Sequence, residues 1–155
     1  MSDRVSFFVP GIPVAKGSLR AFTRRGGGVG VEEGNADKVR PWMSSISLAA
    51  RDAGTTATDG PIRVGMTFVF PRPKGHFNSK GLVRGTAPAA HTKKPDIDKL
   101  IRAVLDALTG VAFADDSQVV TLEPASKRYA RETTPPGLDP TGVEIVVEVV
   151  GERIA

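Results

Sequence analysis

Lys94-Pro95-Asp96-Ile97-Asp98-Lys99-Leu100-Ile101-Arg102-Ala103-Val104-Leu105-Asp106-Ala107-Leu108-Thr109-Gly110, followed by Ala114-Asp115-Asp116-Ser117-Gln118-Val119, is the stretch from which the rest of the chain can be read. Pro95 disfavours helical backbone at Lys94. Asp96 and Asp98 suit a helix start, and Gly110 suits the left-handed position just past a helix end. At about 100° per residue, Leu100, Ile101, Val104, Leu105 and Leu108 fall within an arc of roughly 140°. The spacing therefore predicts an amphipathic helix from Asp98 to Thr109 with that arc turned to the core. Asp98, Arg102 and Asp106 recur at i, i+4 and i+8 as a polar stripe along another side.

Outward from this helix, the remaining elements follow in order. Val5 to Val9 reads as a strand ended by Pro10-Gly11. Lys16, Arg20, Arg24 and Arg25 line a turn or ragged strand, and Gly26-Gly27-Gly28-Val29-Gly30 reads as a mobile hairpin tip; it lacks the Gly-Lys-Ser/Thr ending of a phosphate loop. Pro41, Trp42, Ile46, Ala49, Ala50 and Ala53 predict a first helix from Pro41 to Ala53, with proline at its first position. Trp42 is read as a core or dimer-contact residue rather than a base-stacking platform. Ile62 to Phe70 alternates as a half-buried strand. Residues 71–93 read as a basic, mobile loop. A strand from Gln118 to Leu122, extendable to Tyr129, precedes a turn marked by Pro135-Pro136-Gly137 and Pro140, and Val143 to Val149 alternates as a final strand. The order β-α-β-α-β-β, with hairpin-like pairings at both ends, predicts an α+β fold: one small domain spanning residues 1–155, a mixed β-sheet with two main helices packed on one side.

Composition narrows the function. At 155 residues with 40% apolar and 25% charged side chains, the chain matches a single globular domain. The absence of Cys excludes disulfides and thiolate chemistry, and two histidines, His76 and His91, are little material for a zinc site or a Ser-His triad. There is no run of about 18 apolar residues to span a membrane and no secretion signal, so an intracellular, cytoplasmic location is expected. Net charge is +4. From Gly60 to Pro95 there is no Asp or Glu, while Arg63, Arg72, Lys74, Lys80, Arg84, Lys93 and Lys94 are all basic. A cationic run leading into an acidic cluster suits a protein that draws phosphates toward a metal site; the alternative is a solvated basic loop.

The acids are dense at one end of the motif. A helix from Asp98 to Thr109 is about 17 Å long, and the seven residues from Gly110 to Asp116 can span about 23 Å when extended. The chain can thus return and set Asp116 beside Asp96 and Asp98, where three carboxylates would attract a hard divalent cation such as Mg²⁺. The plainer alternative is that Asp96 and Asp98 cap the helix while Asp115-Asp116 make a solvated turn.

Lys94-Pro95-Asp96-Ile97-Asp98, then Leu100, Arg102, Asp106-Ala107-Leu108, and finally Asp115-Asp116-Ser117-Gln118-Val119 resemble the signature of the RusA-type Holliday junction resolvases: Asp-x-Asp-Asn-Leu-x-Lys, Asp-Ala-Leu, Asp-Asp-x-Gln-Val. Weaker matches are Phe8 to Gly17, similar to the family's opening strand and basic turn, and Lys127-Arg128-Tyr129 before the closing strand. Two positions depart from the pattern. Lys99 stands where the family has Asn, and Arg102 where it has Lys; a guanidinium can hold a phosphate with two donors but cannot act as a general acid at ordinary pH.

The resemblance implies a metal-dependent endodeoxyribonuclease that resolves Holliday junctions or related branched DNA, with Asp96, Asp98 and Asp116 as ligands of Mg²⁺ (Mn²⁺ as a substitute). It implies Arg102 as a clamp on the scissile phosphate and Asp115 as a support for the ligands or a stand-in for one. Lys16, Arg20, Lys93, Lys94 and Lys127 are the DNA-contact candidates. A homodimer matched to the two-fold symmetry of a four-way junction and a phage or prophage origin are implied likewise. The competing readings are the same chemistry on flaps, forks or packaging intermediates, and a non-catalytic branched-DNA-binding protein with structural acids.

Overall fold

The computed structural model describes residues 4–131 and 139–151, the side chains of Glu32 and Glu33 excepted. In chain order the elements are β1 (Arg4–Pro10), β2 (Leu19–Thr23), β3 (Val29–Glu33), α1 (Ala36–Asp52), β4 (Ile62–Phe70), α2 (Ile97–Leu108), β5 (Val119–Tyr129) and β6 (Gly142–Val149). Four strands form one sheet in the order β1-β6-β4-β5, and β2 and β3 make a separate two-stranded ribbon. The sheet is mixed: β6 is antiparallel to both β1 and β4, whereas β4 and β5 are parallel. This is the expected α+β domain. No helix among the described residues is long and apolar enough to cross a membrane.

One apolar core accounts for the layering. Ile62, Val64, Met66, Phe68 and Phe70 of β4 meet Val143, Ile145 and Val147 of β6 and Val9 of β1 on a single face. Against that face lie Val39, Trp42, Ile46 and Ala50 of α1 and Leu100, Ala103, Val104, Ala107 and Leu108 of α2. Both helices therefore cover the same side, as their apolar spacing demands.

Several boundaries and pairings differ from the sequence reading. α1 begins at Ala36, so Pro41 lies inside the helix rather than at its first position. Proline there costs the amide that would have bonded to the Asp37 carbonyl, but burial of Val39 continues the stripe of Trp42, Ile46 and Ala50 and draws an additional turn onto the core. The ragged strand is a regular β2–β3 ribbon, with Leu19 paired to Glu33 and Thr23 to Val29. Its tip turns through Arg24–Gly27, the Gly27 amide bonding to the Arg24 carbonyl at 3.0 Å, and Gly26 takes the positive φ of 91° that such a turn requires at its third position. β4, an inner strand between β6 and β5, is buried on both faces along much of its length rather than on one. Of the hairpins expected at the two ends, the N-terminal one is the β2–β3 ribbon, turning at the glycine-rich tip, and the C-terminal one is not formed. β1 pairs with β6, and β6 inserts between β1 and β4 rather than folding back on β5. The turn containing Pro135-Pro136-Gly137 lies outside the described residues, while Asp139 just beyond it receives the Arg128 fork at 2.7 and 2.8 Å. That fork holds the Asp139 carboxyl down at about 2.

The segment from 71 to 93 contains a short 3-10 turn at Lys74–His76 and bridges between Phe77 and Val83 and between Ala90 and Arg128. Arg72 donates to the carbonyls of Ala130 and Pro88 at 2.8 and 2.7 Å. His91 stacks on Phe70 with centroids 4.0 Å apart and packs near Tyr129. These contacts fasten the segment to the end of the sheet where α2 begins.

The β4–β5 seam depends on one small residue. β5 carries Pro124, which cannot donate to a ladder and is tolerated on an edge strand. The register shifts between Val64 and Met66 opposite it, and Gly65 lets it approach: a Cβ there would lie 2.7 Å from the Glu123 carbonyl oxygen and 2.8 Å from Pro124 Cδ. Gly65→Ala is expected to push the strands apart and lower stability by about 1–3 kcal/mol, read from the urea midpoint. An unchanged midpoint would mean that the seam is not tight.

Candidate active site and nucleic-acid interface

Asp96 occupies the N-cap position of α2 and Asp98 its first turn, yet the Asp96 carboxylate makes no capping hydrogen bond. Both side chains are exposed. Neither has a hydrogen bond or ion pair to a described residue. Capping alone therefore does not account for them. Arg102, one turn along, is exposed as well. The i, i+4 ion pair it could make with Asp98 is not formed, so its guanidinium is uncommitted among the described residues. Two free carboxylates and a free guanidinium thus line the start of the helix.

The approach to α2 is pinned from the sheet. Lys127 of β5 donates its ammonium to the carbonyls of Lys93 and Pro95 at 2.6 and 2.7 Å. Its position fixes the residue immediately before Asp96. Lys16 has a similar role: its amide bonds to the Lys99 carbonyl at 3.2 Å and its ammonium pairs with Asp106 at 3.2 Å. Both lysines, read from sequence as DNA contacts, have partners within the fold. Lys93 and Lys94 are exposed beside the helix start, and Arg20 is exposed on β2. His91, which the sequence reading set aside, sits behind this region with Nδ1 buried and without a hydrogen-bond partner. Burial, and then the nearby Lys127 charge, push its pKa down.

Asp116 is elsewhere. Lys127 pairs with Phe68, and Val119, three residues after Asp116, pairs with Ile62 at the other end of β4. From Val119 to Lys127 an extended strand rises about 26 Å. The segment after α2 does not run back along the helix. The Gly110 amide bonds to the Phe113 carbonyl at 2.7 Å, Val111, Ala112 and Phe113 are buried in the core, and Phe113 bridges to Thr58. The Gln118 amide then donates to the carbonyls of Thr58 and Gly60 at 2.7 and 2.9 Å. The expected return is thus not made: Asp116 stands at the C-terminal end of α2. Among the described residues no group of three or more His, Asp or Glu is placed to hold a metal. Asp115 accepts from the Ser117 amide at 2.9 Å in a capping box completed by Gln118; that hydrogen bond holds its carboxyl below the usual carboxylate range.

The pairing of two free acids with a cationic surround agrees with what the chain is similar to. The sequence pattern of the family described as Endodeoxyribonuclease RusA matches residues 10–138. The chain is 34% identical over 139 residues, covering 84% of its own length and 91% of the relative's, to the uncharacterized protein YqaN of Bacillus subtilis (strain 168). This protein belongs to the RusA endodeoxyribonuclease family.

The Lys127 pin makes a direct prediction. Lys127→Met keeps the aliphatic stem and removes both donations. It is expected to cost about 1–3 kcal/mol and to speed amide hydrogen exchange across residues 93–99. Unchanged exchange would return Lys127 to the pool of free cations.

Proposed function

We propose that this protein is a Mg²⁺-dependent endonuclease that resolves four-way junctions or closely related branched DNA. The observation that carries this reading is the pair Asp96 and Asp98, exposed and unpaired at the start of α2, in a chain of the RusA family. Mg²⁺ is commonly held by one or two carboxylates, with the remaining positions left to water and substrate phosphate. Two hard oxygen donors one residue apart fit that need, with Mn²⁺ an acceptable substitute. When bound, the ion would supply an activated water and charge neutralisation at the phosphate.

Asp116 joins this set from a second copy of the chain. Within one copy it lies at the far end of α2, so a homodimer that lays the start of one α2 beside the end of the other supports a third carboxylate at each site. The two sites would then be related by the same two-fold axis as the paired strands of a four-way junction.

The protein's own groups have separable roles. Asp96 and Asp98 provide the acidic end of the site, and the approach fixed by Lys127 keeps their backbone in place. Arg102 reaches the scissile phosphate with two parallel donors and orients it for in-line attack of water, the bond to the leaving sugar oxygen breaking as the new P–O bond forms. Because the guanidinium does not release its proton, protonation of the leaving oxygen falls to water. Lys93 and Lys94, exposed beside the helix start, serve the flanking backbone, and Arg20 on β2 is a further candidate for DNA contact.

The test is incubation of an end-labelled four-way junction with the protein, with and without Mg²⁺, alongside linear and forked DNA. Paired nicks near the branch only with metal are expected; intact junction at every enzyme concentration would contradict the proposal. In the same single-turnover assay, Arg102→Lys should keep most activity, while Arg102→Ala should lose about 10²-fold or more with an unchanged melting curve. Full activity in Arg102→Ala would remove Arg102 from the site.

A further inference from the structure

Beside Asp96 lies a cleft of about 560 Å³ with cationic walls, of which the proposed function has used Lys94 alone. Its sides come from the start of α1 at Lys38, the approach to α2 at Lys94, and the first turn of α2 at Lys99. Its floor is Ala15 and Asn35, which are tied together by a 2.9 Å bond from the Asn35 amide to the Ala15 carbonyl. Three lysines and one aspartate line it, a surplus of two positive charges. No ion pair quenches them: Lys38 and Lys94 are exposed with no partner among the described residues, and Lys99 donates only to the neutral Ser18 hydroxyl at 3.1 Å. Three like charges lining one cleft repel one another, and a phosphate bound there relieves that repulsion. Carboxylate substrates would meet the same cations, but the adjoining acids at Asp96 and Asp98 suit a phosphodiester that spans both regions.

We propose that this cleft is a phosphate subsite for the DNA strand, in which Lys38, Lys94 and Lys99 hold a backbone phosphate neighbouring the one presented to Asp96 and Asp98. The proposal rests on the nuclease reading and adds to it Lys38 and Lys99, which that reading left without a role. Lys99 stands where the family pattern has Asn, so this contact is one that the pattern itself does not supply.

The cleft makes the salt dependence of binding its readout, with no need for cleavage. Binding of a labelled four-way junction is measured in EDTA across a salt series for the wild-type protein and for Lys38→Ala/Lys99→Ala. Each lost phosphate contact lowers the slope of log affinity against log salt by about 1, so the double variant should show a slope smaller by about 1–2 and weaker binding at low salt. Lys38→Arg/Lys99→Arg should retain the wild-type slope. Ser18→Ala, which removes only the hydrogen bond to Lys99, should retain it too. A wild-type slope in the double alanine variant would overturn the subsite, as would a Ser18→Ala variant that reproduces the loss. If the slope falls but wild-type protein never cuts the junction with Mg²⁺, the nuclease reading fails and the subsite stands.

Discussion

Parallel strands that lie side by side oblige the chain to travel back along the sheet between them, and in this protein α2 makes that return between β4 and β5. The rest of the arrangement depends on this constraint. α2 must begin near the end of β4 and finish near the start of β5, so residues just before and just after the helix lie at opposite ends of the sheet. Asp96 and Asp98 fall at one end and Asp115 and Asp116 at the other. The same crossover sets Lys127, late in β5, against the carbonyls that lead into α2.

Charge is distributed to suit a polyanion. At the start of α2 the carboxylates of Asp96 and Asp98 are left without ion pairs although Lys38, Lys94 and Lys99 line the same cleft as Asp96. Where the fold needs a cation for itself, it uses one: Lys16 on Asp106, Arg128 on Asp139, and Arg63 on Glu148 across the β4–β6 seam. At the helix start unpaired groups of both signs lie side by side, and on the proposed reading an approaching phosphate backbone would meet cations to hold it and acids to bring a metal to it.

Much of this was legible in the sequence because it is local. The apolar arc of Leu100, Val104 and Leu108 and the alternation of Ile62 through Phe70 each carry their own period, and both elements form where that period places them. What failed depends on distant partners. Nothing in Val143 to Val149 says that it will separate β1 from β4, and the glycine run announces the tip of the β2–β3 ribbon but not that the ribbon stands apart from the main sheet. Pro41 misplaced the start of α1 because burial of Val39 outweighs a single lost amide bond. For the site, chain reach gave only an upper limit on how far the 110–116 segment could extend. Val111-Ala112-Phe113 was the available signal, since three apolar residues in a row seek the core and anchor the segment under the end of α2. The ties of Lys16 and Lys127 likewise require the folded chain to be seen.

The division of the acids between the two ends of α2 makes subunit complementation the most direct test. Asp98→Asn and Asp116→Asn proteins are each expected to be inactive on a four-way junction with Mg²⁺. When the two are co-expressed, half of the dimers are mixed, and each mixed dimer holds one site with all its carboxylates intact. Nicking should return to about a quarter of the wild-type level. A mixture as inactive as either parent would contradict a site shared between two copies of the chain.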